Sequence, residues 1–232
     1  MMHNQQNQQT RYEAVTQRIT DAEKCYDRAP ESVQLLAVSK TRTSDEIRNC
    51  ASYGQRRFGE NYLQEALTKI AELRAMELEW HFIGPIQSNK THAIAENFDW
   101  VHSIERFKIA RRLSEQRPAG MAPLNICLQV NVSNEQTKSG VTLNELPRLA
   151  NEVAALPRLK LRGLMAIPAA YDNFEQQRLP MRALHQAMER LNREGMVLDT
   201  LSMGMSGDLE AAIAEGATMV RIGTALFGPR NT

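Results

Sequence analysis

The sequence predicts an α/β chain folded as a single (β/α)8 TIM barrel with an additional N-terminal helix. Three observations lead there. Eight short β-like runs alternate with helical stretches, which is the pattern of parallel βα units. Connections between parallel strands cross over right-handedly and put the helices outside, so eight such units can close on themselves. The rival, an open doubly wound sheet, would carry GxGxxG near its first strand, and no such string is present there.

Each element follows in order. An opening helix is expected over 10–27, inside an N-terminal extension of 1–30. The first strand, 34–38, rests on the apolar run Leu35-Leu36-Ala37-Val38 bounded by polar residues. A helix over 44–53 leads to the second strand, 57–59, which is short and weakly apolar. Helix 62–75 precedes strand 80–83, helix 90–96 precedes strand 100–102, and helix 106–116 precedes strand 125–131. Helix 143–156 then leads to strand 160–165, helix 174–194 to strand 200–202, and helix 207–215 to strand 219–222. No linker rich in Pro, Gly or Ser splits the chain and no fixed-period repeat runs through it, so 1–232 reads as one domain.

Composition narrows the function classes. Hydrophobic residues at 42% and charged residues at 24% are ordinary for a soluble globular protein. A formal net charge of +1 gives no global field for nucleic acid or an anionic membrane. The polar start MMHNQQNQQT has no apolar signal core. No run approaches the roughly 18 apolar residues of a membrane span, so cytoplasmic residence is expected. Cys25, Cys50 and Cys127 are odd in number and form no CxxC, and Cys127 sits within an apolar run. The histidines show no HExxH and no pairing with cysteine at zinc spacing, so no metal site is expected.

In this fold the chemistry sits at the C-terminal ends of the strands. Lys40 follows the first strand there. Burial at a strand mouth disfavours the ammonium, lowers the pKa and frees the amine as a nucleophile. Glu60 and Asn61 follow the second strand, His81 lies in the third, and Ser103, Asn131 and Ser133 follow the fourth and fifth. The loops after strands seven and eight are the usual phosphate site of the fold. They hold Met203, Gly204, Ser206, Gly223 and Thr224: glycines let backbone N–H groups approach an anion, and the hydroxyls donate. Arg221 stands beside them. An amine, an anion cradle and a ring-nitrogen partner are what pyridoxal phosphate needs. An arginine keeps its proton, so it would donate to that nitrogen and leave the ring a weak electron sink.

Seven strings carry a resemblance. They are LLAVSKT (35–41), FGENYLQEA (58–66), WHFIGPIQSNK (80–90), NVSNEQTKSG (131–140), RGLMAIP (162–168), LSMGMSGDLEAAI (201–213) and VRIGTALFG (220–228). On these strings the chain resembles the YggS/PROSC family of pyridoxal phosphate homeostasis proteins. The resemblance implies a barrel like the N-terminal domain of bacterial alanine racemase, with pyridoxal 5'-phosphate held as a Schiff base on Lys40. It implies that Asn61 lines the cofactor and that Arg221 faces the ring nitrogen. Ser206, Gly223 and Thr224 would hold phosphate, with backbone near Met203 and Gly204.

Lys138, in a polar loop, offers a second amine that could receive or pass on the cofactor. Two functions remain open at this point. One is a carrier that holds the cofactor and delivers it to apo-enzymes without turnover, in which no residue is catalytic. The other is a racemase of the alanine racemase type. Two-base racemisation needs a second acid/base opposite the lysine. Tyr62 is the tyrosine nearest the expected mouth, and no second domain that could supply another is expected after the barrel. The carrier is therefore favoured, as a monomer with neither nucleic-acid nor membrane partners.

Overall fold

In the computed structural model of the 232-residue chain, residues 2–133 and 139–229 are described. The apolar runs become strands. They are β1 (Gln34–Val38), β2 (Arg57–Glu60), β3 (Glu79–Phe82), β4 (Trp100–Ile104), β5 (Leu124–Gln129), β6 (Leu159–Met165), β7 (Thr200–Ser202) and β8 (Met219–Ile222). Each pairs in parallel with its neighbours, and β8 returns to β1, closing the barrel. Closure removes the sheet edges that an open sheet would leave unpaired.

The helices pack outside. They are α1 (Met2–Cys25), α2 (Ser44–Ser52), α3 (Leu63–Glu72), α4 (Thr91–Asn97), α5 (Phe107–Gln116), α6 (Leu146–Ala154), α7 (Phe174–Arg193), α8 (Leu209–Ala214) and α9 (Thr224–Phe227). The main apolar core lies between these helices and the outer face of the sheet, with Ile47, Ala66, Ile94, Leu113, Leu149 and Leu184 from the helices meeting Ala37, Phe58, Phe82, Val101, Ile126 and Leu164 from the strands. A helix with apolar residues on one stripe buries that stripe and leaves the other face wet. α2 is fixed at its start by a capping box, in which Thr43 Oγ1 accepts from the Glu46 N–H and the Glu46 carboxylate accepts from the Thr43 N–H.

α1 covers α8, α9 and α2 through Val15, Ile19 and Ala22, spaced to share one face. Arg18 pairs with Glu210 at 2.8 Å, which locks α1 to α8. α1 starts at Met2, where the sequence predicted residue 10, because glutamine is a good helix former even without an apolar stripe. β5 ends at Gln129, two residues before its predicted end: the Val130 N–H still donates to the Met165 carbonyl of β6 at 2.8 Å, but Val130 also bridges Val141, which closes the base of the following loop. α8 begins at Leu209, two residues after the predicted start, because Asp208 is its N-cap residue.

The lumen differs from the outer core. Trp100, Cys127 and Met165 form a small separate apolar cluster. Around it stand buried polar groups, His81, His102, Ser202 and Arg221, from β3, β4, β7 and β8. Among the described residues no helix is long and apolar enough to cross a membrane.

Candidate functional site

Lys40 sits two residues past the end of β1, half-buried, in a turn where Thr41 takes a positive φ of 63°. The turn is held from behind by a charged cluster. Lys69 of α3 is 4% exposed, and its ammonium donates to the Ser39 carbonyl at 2.8 Å and to Glu60 Oε1 at 2.8 Å. It also pairs with Glu65, whose Oε1 accepts from the Thr41 N–H at 2.6 Å. Ser39 Oγ donates to Glu60 Oε1 at 2.6 Å. The residues on both sides of Lys40 are thus fixed by one buried network. Burial lifts the Glu60 carboxyl above its ordinary range, against the pull of Lys69 and Ser39. Arg42 extends the anchoring to the chain end, donating to the Gly228 and Pro229 carbonyls and lying over the Phe227 ring.

Asn61 follows β2 and lines a small cavity of about 200 Å³ with Ile83, Ser103, Gln129 and Ile167. Its Oδ1 is buried without a hydrogen-bond partner among the described residues. A buried acceptor in that condition costs free energy unless a ligand supplies a donor. Gly84 packs against the Asn61 backbone so tightly that a Cβ there would lie 2.2 Å from the Asn61 carbonyl oxygen.

The loops after β7 and β8 lie side by side. The Arg221 N–H donates to the Gly204 carbonyl at 2.9 Å, and Ala37 is in register with Ile222, so the Lys40 turn opens beside Gly223 and Thr224. Gly204 has φ 93°, and a Cβ there would lie 2.5 Å from the Ala212 Cβ, so only glycine fits. The Met203 side chain is fully buried, which leaves only its backbone to face a ligand. Ser206 is half-buried three residues before α8, with its carbonyl accepting from Arg18 at 3.2 Å. Gly223 is the N-cap residue of α9, and Thr224, its first residue, is exposed.

Arg221 is buried in the lumen at the level where β6 and β7 end. It donates to the Ser202 carbonyl at 2.5 Å, to Ser202 Oγ at 2.9 Å and to the Ala166 carbonyl at 2.8 Å. Burial lowers its pKa to about 10, so it remains a cation at neutral pH. Tyr62 is exposed at the rim. Lys138 lies outside the described residues. Among those residues no group of three or more histidine, cysteine or acidic side chains could hold a metal. Cys50 and Cys127 are buried, with thiols pushed up to about 12, which makes them poor nucleophiles.

Lys40, Asn61, Gly204, Ser206, Arg221, Gly223 and Thr224 therefore come from the first, second, seventh and eighth βα junctions to one mouth. Sequence reasoning missed Lys69 and Glu65, which look like surface residues of an amphipathic helix. It gave no role to His102 or Ser202, whose partners come from strands distant in sequence.

Comparison with known proteins identifies the fold and the family. A family model described as alanine racemase, N-terminal domain, matches residues 11–231. The pyridoxal phosphate homeostasis protein of Pseudomonas aeruginosa is 59% identical over 217 residues, covering 94% of this chain and 93% of that one. Its counterpart in Escherichia coli is 54% identical over 207 residues, covering 88% of each. The structure of PipY from Synechococcus elongatus with pyridoxal phosphate bound has a TM-score of 0.80 and 35% identity, covering 90% of this chain and all of that one. Alanine racemase from Corynebacterium glutamicum, 18% identical with a TM-score of 0.69, shares the fold over 95% of this chain and 62% of its own. The chain belongs to the pyridoxal phosphate homeostasis protein family, built on the alanine racemase N-terminal domain.

Proposed function

We propose that this protein binds pyridoxal 5'-phosphate at the C-terminal mouth of the barrel and serves cofactor homeostasis in the cytoplasm, as a monomeric carrier that delivers pyridoxal phosphate to apo-enzymes. The single observation behind the reading is convergence: a half-buried lysine turn, the unpartnered Oδ1 of Asn61, a buried arginine and a glycine-shaped loop pair share one mouth. The relatives' names and the ligand in the PipY structure give the group its identity. When bound, the cofactor supplies an aldehyde that condenses with an amine and a ring that withdraws electrons.

The chain's own residues divide the work. Lys40 is the amine, held in place by Lys69, Glu60 and Glu65. Ser206, Gly223 and Thr224, with the Met203 and Gly204 backbone, receive the phosphate. Asn61 Oδ1 accepts from the cofactor. Arg221 donates to the ring nitrogen and, as a fixed cation, keeps a proton off it. A ring so held is a weak electron sink, which suits a reversible tether better than a carbanion catalyst. Lys138 is a second amine for hand-over.

Mixing the purified protein with pyridoxal phosphate should give a visible absorption band, and borohydride should fix the adduct on Lys40. Lys40→Ala should abolish both. An adduct that persists in Lys40→Ala and maps elsewhere contradicts the assignment. Racemisation of L-amino acids above roughly 1 per second, lost in Lys40→Ala, would favour the racemase instead.

A further inference from the structure

A continuous hydrogen-bonded chain crosses the barrel beneath the site. Glu79 Oε1 lies 2.7 Å from His81 Nε2, His81 Nδ1 lies 2.9 Å from His102 Nε2, and His102 Nδ1 lies 2.8 Å from Ser202 Oγ. Ser202 Oγ in turn accepts from Arg221 at 2.9 Å. β4 and β7 are not neighbours in the barrel, so the His102–Ser202 bond spans the lumen. Both imidazoles are fully buried, and His81 stacks on Trp100 at 5.4 Å between ring centroids. Glu79 lies at the opposite, N-terminal mouth, in a polar cavity of about 440 Å³, and also pairs with Arg57 at 3.2 Å.

Proton bookkeeping fixes the direction of every bond. The Glu79 carboxylate only accepts, so His81 carries its proton on Nε2. A neutral His81 then accepts at Nδ1, so His102 donates from Nε2. His102 accepts at Nδ1, so the Ser202 hydroxyl donates to it, leaving its lone pairs for Arg221. All donors point from the Arg221 cation toward the Glu79 anion, and aligned bonds of this kind polarise one another. Burial lowers the pKa of both imidazoles, which agrees with the neutral forms that this order requires.

We propose that His81 and His102 are positioning residues: through Ser202 they orient the Arg221 guanidinium, and so set the hydrogen bond received by the pyridine nitrogen of pyridoxal phosphate. The link to the cofactor rests on the reading of the mouth given above. The relay makes a carboxylate at the far end of the barrel part of the site.

Two measurements test it. Nitrogen-15 spectra of the protein without cofactor should show His81 and His102 both as neutral Nε2–H tautomers at pH 7.5. In Ser202→Ala, His102 should keep Nε2–H, because His81 Nδ1 still requires that donor, while its Nδ1 resonance shifts on losing the hydroxyl. On titration with pyridoxal phosphate, Ser202→Ala should weaken binding about three- to tenfold, because Arg221 is then held less well toward the ring nitrogen and one ordinary hydrogen bond's worth of orientation is lost. Glu79→Leu, remote from the mouth, should move the visible maximum of the bound chromophore in the same direction as Ser202→Ala. An Nδ1–H tautomer or an imidazolium at His102 overturns the relay, as do variants whose maximum and affinity match the parent. A parent protein that forms no band while its tautomers match expectation instead overturns the cofactor reading, and the ring contact with it.

Discussion

Lys69 is a charged side chain buried in a structure whose other lysines mostly face water. It neutralises Glu60, which is fully buried, holds the Ser39 carbonyl just before Lys40, and pairs with Glu65, which accepts from the Thr41 N–H just after it. Removing one partner of a buried pair leaves the other uncompensated, at about 3 kcal/mol. Lys69→Met should therefore destabilise the fold by about that amount at pH 7, while Glu60→Gln, which keeps an acceptor for Ser39 and leaves Lys69 paired with Glu65, should cost under about 1 kcal/mol. The sign of the pH effect follows from the Glu60 shift. Its folded pKa already lies above the unfolded value of about 4.3 and rises further without Lys69, so the deficit of Lys69→Met should shrink as pH falls toward that value. Urea unfolding at pH 7 and pH 5 measures this; a deficit that grows on acidification contradicts it. Lys40 was visible in the sequence because an apolar run ends beside it. Lys69 was not, because its spacing is that of any helix surface and only the closed barrel turns it inward.

At the scale of elements, α7 and α8 are joined by one carboxylate. Glu215, the C-cap residue of α8, is buried and receives Arg178 at 2.6 Å and Arg182 at 2.8 Å. Burial alone would raise its pKa, but the two guanidinium groups outweigh burial and hold it below the carboxylate range. Its contribution is therefore present above the unfolded value of about 4.3 and lost as pH falls through the folded one. Glu215→Gln should cost about 1 kcal/mol at pH 7 and nothing once the parent carboxyl is protonated, as denaturant midpoints at pH 7 and pH 3 would report. An equal loss at both values would mean that packing, not charge, carries the contact. The eight strands were legible because each apolar run stands alone between polar stretches. Element ends shifted by a few residues where a long-range partner decided them, as where Val130 bridges Val141 at the end of β5.

The whole barrel carries an acid sensitivity in its lumen. His81 and His102 are held neutral by burial, whereas in the unfolded chain each titrates near 6.5. Below that pH the unfolded state binds more protons, so stability present above about 6.5 declines as pH falls, by at most about 1.4 kcal/mol per pH unit for each imidazole and only until its folded pKa is reached. The difference in unfolding free energy between the parent and His102→Gln should therefore shrink from pH 7.5 to 5.5. A difference that grows on acidification would mean that His102 is already charged in the folded barrel, and a constant one that folding leaves its pKa unchanged.

The amino-acid order by itself determined the alternation of strands and helices, and with it the closed parallel sheet, because hydrophobic periodicity is a local property that burial converts directly into secondary structure. It also determined which loops carry the lysine, the glycines and the hydroxyls, since in such a barrel those loops share one mouth. Only the tertiary structure decided what stands behind them. The Lys69 network and the Glu79–His81–His102–Ser202–Arg221 chain join residues far apart in sequence, and hydrogen bonds of that kind exist only once closure has brought opposite strands within reach across the lumen.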